Sequence, residues 1–171
     1  LEEIILAVAY VSNMDSIFKL ASEKNVPLSL YALCDGMGNP NTDIIQYFLD
    51  ASNTSWRLYL IRDFYHPKIM WFKGVGAYIG SANLSKRAWT SNVECGVWFT
   101  QDDLLKFSMI DELSSIIDVI QERSTEATKE ILKAIKTLQI SPSRAKLRNE
   151  ELAFEKIVNE SLKNILGERS I

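Results

Sequence analysis

The residues of this chain best suited to chemistry are grouped. His66-Pro67-Lys68 opens the group, Gly80-Ser81-Ala82-Asn83 continues it and Glu94 closes it. An extended strand turns alternate side chains to one face, so His66 and Lys68 project together, as do Ser81 and Asn83. An imidazole, an ammonium, a hydroxyl and a carboxamide then converge on a space fit for one small anion. Gly80 allows the backbone to approach where a larger residue would obstruct it. The pattern is that of an anion site with a group able to attack or to carry a proton.

The elements that must position these residues can be read from the apolar pattern. Ile4 to Val11 is a nearly continuous apolar run, which suits a strand buried on both faces. Ser12 or Asn13 caps a helix carrying Ile17, Phe18, Leu20 and Ala21, and Val26 to Leu33 reads as a second strand. Asp35 to Asn41 is a turn, because no Lys-Ser or Lys-Thr follows its glycines to make a phosphate loop. Ile44, Ile45, Phe48 and Leu49 mark a second helix, and Trp56 to Ile61 a third strand. Residues 66–72 and 76–80 read as adjacent short strands, and Val93 to Phe99 as another. This order predicts an α/β sandwich with a mixed sheet. Beyond residue 101 the period turns helical, with a break near Arg123-Ser124 and a last helix from about 142 to 166. Two units are therefore expected: a core over 1–100, and a helical region over 101–171 that packs on it or meets a partner.

Composition narrows the function. The 171 residues carry one His and two Cys, too few for a two-histidine metal site from one chain or for a disulfide framework. No metal or other cofactor is expected. No apolar run nears a membrane span, and no signal peptide is visible, so a cytoplasmic protein without membrane contact is expected. The chain opens Leu1-Glu2-Glu3 without Met, which reads as part of a longer protein with further domains. The net charge is −3, yet residues 57–87 hold Arg57, Arg62, Lys68, Lys73, Lys86 and Arg87 against Asp63 alone. A basic island in an acidic chain suggests one local anion site. Trp56, Trp71, Phe72, Trp89 and Trp98 are expected in the core, with Cys34 and Cys95 as buried thiols.

The spacing itself resembles that of the phospholipase D superfamily, whose motif runs His, any residue, Lys, four residues, Asp, six residues, Gly-Ser, any residue, Asn. His66, Lys68, Gly80, Ser81 and Asn83 stand at those positions, and Glu94 matches an acidic residue that many nuclease members carry. Lys73 occupies the Asp position, a departure shared with several single-motif nucleases. The resemblance covers residues 4–100. It is greatest to metal-independent restriction endonucleases and helicase-linked domains.

The resemblance implies a phosphodiesterase acting on nucleic acid, most simply an endonuclease cleaving DNA. In the family one His attacks phosphorus and a second protonates the leaving oxygen. A chain with one His then requires a homodimer whose two His66 rings face one phosphate. Lys68 and Asn83 would bind phosphate oxygens, Ser81 would donate to phosphate or hold His66, and Glu94 would orient the far nitrogen of His66. Lys73, Lys86 and Arg87 are expected to touch the substrate backbone. Two other functions use the same residues: phosphatidyl hydrolysis or transfer, and nucleic-acid binding without turnover.

Overall fold

A computed structural model of the chain describes residues 1–35, 38–51, 55–62 and 64–140, together with positions 160, 163 and 164. Apart from those three positions, the helix expected over 142–166 lies outside the described residues, as do Gly36 and Met37 of the expected turn. The elements are β1 (Glu3–Val8), α1 (Asp15–Lys24), β2 (Leu28–Leu33), α2 (Thr42–Asp50), β3 (Trp56–Ile61), β4 (Lys68–Lys73) and β5 (Gly76–Gly80). They continue with α3 (Lys86–Thr90), β6 (Gly96–Thr100), α4 (Gln101–Lys106), α5 (Met109–Glu122), β7 (Thr125–Glu126) and α6 (Lys129–Ile140).

One mixed sheet runs in the order β6-β5-β4-β1-β2-β3-β7. β1, β2 and β3 are parallel, joined through α1 and α2, while β4, β5, β6 and β7 each pair antiparallel with a neighbour. The continuous apolar run of β1 follows from burial on both faces. Ile4, Leu6 and Val8 join Phe18, Ile45, Phe48, Ile131 and Ile135 beneath α1, α2 and α6. Ile5 and Ala7 join Tyr31, Ile69, Trp71, Leu104, Leu113 and Ile117 beneath α4 and α5. The helices on both faces make the expected α/β sandwich.

β1 ends at Val8, three residues earlier than the apolar run suggests. The cause is Asn39, whose Nδ2 donates to the carbonyls of Ala9 (2.7 Å) and Leu33 while its Oδ1 accepts from Val11 N–H (2.9 Å). One side chain thus supplies partners that a neighbouring strand would have supplied and ties together the carboxyl ends of β1 and β2. α2 starts after Asn41, whose Oδ1 accepts from Asp43 N–H. α1 begins after Met14, and Asn13 Oδ1 accepts from Asp15 N–H (3.2 Å) at its start, as the sequence suggests.

Three burial expectations are corrected. Trp98 is 47 % exposed, Trp89 is 56 % exposed, and Cys95 is exposed. β6 is the last strand on its side of the sheet and lies open along most of its length, so an apolar sequence there is not a buried one. Trp56, Trp71 and Cys34 are buried as expected, and Phe72 packs partly buried against the core. Among the described residues, no helix is long and apolar enough to cross a membrane.

Candidate active site

The carboxyl end of β1 lies between a parallel neighbour, β2, and an antiparallel one, β4. At such a point the chain leaves the sheet in two directions and opens a crevice beyond the strand ends. β4 begins there with Lys68 paired to Val8, and the segment ahead of it stays extended, because Pro67 O accepts from Ala9 N–H (3.2 Å). His66 therefore sits just outside β4 rather than within it.

His66 and Lys68 meet as their spacing predicts. Lys68 Nζ lies 3.0 Å from His66 Nδ1 and 3.2 Å from Nε2, and donates to the His66 carbonyl at 3.2 Å. The stem of Lys68 is packed at the strand start, leaving 8 % of the residue exposed. It is the one buried charged side chain among the described residues. Burial pushes its pKa below the ordinary lysine value, and the negative charge of Glu94 opposes that fall.

The second half of the site is built where β5 and β6 diverge. β5 ends at Gly80, so Ser81 and Asn83 lie in the turn after the strand and not on one strand face. Ser81 N–H donates to Cys95 O (2.8 Å), and Cys95 N–H donates to Ser81 Oγ (2.9 Å), closing a reciprocal clasp. Ser81 Oγ then donates to Glu94 Oε2 (2.5 Å), while Asn92 Nδ2 donates to Glu94 Oε1 (3.0 Å). These two bonds, Ser81 first, hold Glu94 below the usual carboxylate pKa, with Lys68 adding to them. Gly80 is required by close approach. A Cβ there would stand 2.5 Å from Cys95 O and 2.6 Å from the Gly96 Cα, and would strike the Tyr78 hydroxyl.

Asn83 and the segment after it dock against the end of β1. Asn83 Oδ1 accepts from Tyr10 N–H (3.1 Å), Leu84 N–H donates to Tyr10 O (3.2 Å), and Val11 bridges to Leu84. Asn83 is thereby fixed beyond the carboxyl end of β1, together with Tyr10. The Tyr10 ring stands edge-on to His66, with centroids 6.3 Å apart and planes at 77°. No motif singles out Tyr10. The only sequence signal is a polar aromatic at the end of the first apolar run.

Two expectations about the site differ from the geometry. Glu94 bonds Ser81 and Asn92 and makes no hydrogen bond to His66 here. Lys73 is not brought to the cluster: it pairs with Glu3 (2.7 Å), its register partner, at the opposite end of β4, about 17 Å from Lys68 at the rise of a strand. It also lies over the Trp71 ring. The basic island is likewise dispersed. Arg57 pairs with Glu126 (3.2 Å) toward the far edge of the sheet, whereas Lys86 and Arg87 lie exposed in α3, directly after Asn83 and its neighbours.

A mixed sheet with its helices, and a histidine, a buried lysine and an asparagine gathered beyond the carboxyl end of its central strand, define a phospholipase D-like protein. Members of that superfamily act on phosphodiester bonds. The chain belongs to the family described as cardiolipin synthase, PLD-like domain, whose sequence model matches residues 2–116. Its fold is similar to that of NucT from Helicobacter pylori, with TM-score 0.55 and 20 % identity over 73 % of this chain and 82 % of that one. It is similar also to Nuc, a phospholipase D family member from Salmonella typhimurium, with TM-score 0.50 and 22 % identity over 73 % and 81 %. Phosphatidylserine synthase from Haemophilus influenzae gives TM-score 0.59 and 15 % identity over 91 % of this chain and 42 % of that one. No curated protein matches the sequence.

Proposed function

We propose that the protein is a metal-independent nuclease that cleaves DNA phosphodiester bonds through a phosphohistidine on His66, in a homodimer with one composite site. The observation that carries this reading is the contact of the buried Lys68 ammonium with both ring nitrogens of the chain's lone histidine.

The ammonium draws a phosphate oxygen to the atom that attacks. A ring nitrogen of His66 displaces the leaving oxygen and bonds to phosphorus, while His66 of the second protomer gives its proton to that oxygen. Water, deprotonated by the second imidazole, then hydrolyses the phosphohistidine and restores both rings. Because Asn83 Oδ1 is already bonded to Tyr10 N–H, the amide presents its NH2 end to a non-bridging oxygen. Glu94 balances the Lys68 charge, and Ser81 fixes Glu94. Lys86 and Arg87, exposed beside the site, reach the phosphates that flank the scissile one. Within residues 101–171, α4, α5, β7 and α6 pack on the core, and contacts to the second protomer or to an adjoining domain fall to the rest of the region.

Incubation with plasmid and single-stranded DNA in excess chelator tests the reading. The wild type is expected to cleave, His66→Ala is expected to be inactive, and sedimentation is expected to show a dimer. Loss of cleavage in chelator, or a strict monomer that still cleaves, would overturn the mechanism. Release of headgroup from phospholipid vesicles in place of DNA cleavage would reassign the substrate.

A further inference from the structure

Tyr10 is held more firmly than an exposed loop aromatic requires. Its N–H and its carbonyl are both bonded to the Asn83-Leu84 segment. The residues on either side, Ala9 and Val11, are both bonded to the Asn39 amide. Yet the side chain itself is 43 % exposed and stands edge-on to His66. A backbone tied on four sides carries a ring whose described aromatic neighbour is the imidazole.

The imidazole needs such a neighbour. Glu94, the carboxylate that a His–acid pair would use, bonds Ser81 and Asn92 and makes no hydrogen bond to His66. Lys68 Nζ touches both Nδ1 and Nε2, and a flip would put Cδ2 and Cε1 in their places, so Lys68 selects the flip state, but one ammonium on a flexible stem does not fix the plane of the ring. Packing against a neighbour must then hold that plane. A T-shaped aromatic pair does this, because turning the imidazole brings its edge or face against a ring that cannot retreat.

We propose that Tyr10 is a positioning residue for His66, its ring holding the imidazole in the orientation from which it attacks phosphorus. The inference rests on the reading of His66 as nucleophile. Tyr10 acts through the ring and not through its hydroxyl, so it governs turnover more than substrate affinity.

Because the chain has a single histidine, its imidazole C–H signals form one unambiguous set in a carbon-resolved NMR spectrum of the full chain. In Tyr10→Phe these signals are expected to match the wild type. In Tyr10→Leu they are expected to shift and broaden as the aromatic neighbour is lost and the ring samples a wider range of planes. On DNA, Tyr10→Leu is expected to lower kcat by roughly three- to tenfold with KM unchanged, and Tyr10→Phe to restore it. Unchanged imidazole signals in Tyr10→Leu would overturn the proposal, as would a raised KM with kcat intact. Should the wild type fail to cleave DNA, the nuclease reading falls while the imidazole spectra still decide the positioning role. Backbone amide spectra check that each variant is folded, and Tyr10→Phe keeps the volume should Tyr10→Leu fail to fold.

Discussion

Replacing Lys68 with Met separates stability from function at one position. The side chain is 8 % exposed, so an unbranched apolar chain of similar length keeps most of its packing. What is removed is an ammonium that burial disfavours, the cause of its lowered pKa. Glu94 is not orphaned, since Ser81 and Asn92 still bond its two oxygens. The lost hydrogen bonds to the His66 carbonyl and ring cost about 2 kcal/mol, and relief of a buried charge returns about 1–3 kcal/mol, so the net change stays within about 1 kcal/mol. For a chain of this length that range keeps the Tm within about 3 °C of the wild type. Cleavage is expected to fall by about 10²–10³, the cost of removing one charged donor from a developing phosphorane.

The stability of the wild type should also depend on pH in a way the Met variant does not. With its folded pKa below the unfolded value, Lys68 loses its proton first in the native state. The unfolded chain then holds more protons, so stability rises with pH between the folded and unfolded values and falls again as pH drops through the folded one. Thermal unfolding scans across the alkaline range, with DNA cleavage on the same samples, measure both effects. A Tm lowered by more than about 3 °C, or full activity in Lys68→Met, would refute the reasoning.

Glu94→Gln tests the same electrostatics from the other side. Glu94 holds the Lys68 pKa up, so neutralising it lets Lys68 deprotonate sooner and moves the alkaline limb of the cleavage pH profile to lower pH. A limb that stays in place would mean that turnover does not require the Lys68 charge. Gly80→Ala tests the packing of the turn: its Cβ would meet Cys95 O, the Gly96 Cα and Tyr78, so stability in urea should fall by about 1–3 kcal/mol. An unchanged unfolding midpoint would show that the β5–β6 end opens freely.

The sequence alone determined what depends on local pattern. A run apolar at every position, Ile4–Val8, marks a strand between two layers, because a sheet covered on both faces has no polar side. The two-residue step from His66 to Lys68 brings their side chains together whether or not both lie in the strand proper. The long spacing to Gly80, Ser81 and Asn83 marked the family. Tertiary structure decided what depends on which segments become neighbours. Trp98 is as apolar as Trp71, yet one lies on the edge strand and the other on an inner strand, and strand order is not a local property. Lys73 is five residues from Lys68, but a strand carries it to the far side of the sheet, where Glu3 of β1 pairs with it. Glu94 turned to Ser81 and Asn92, and Tyr10 came to His66 through Asn83, across 73 positions of chain. Such contacts depend on how far each strand runs before a side chain like Asn39 interrupts it, and only the assembled sheet settles that length.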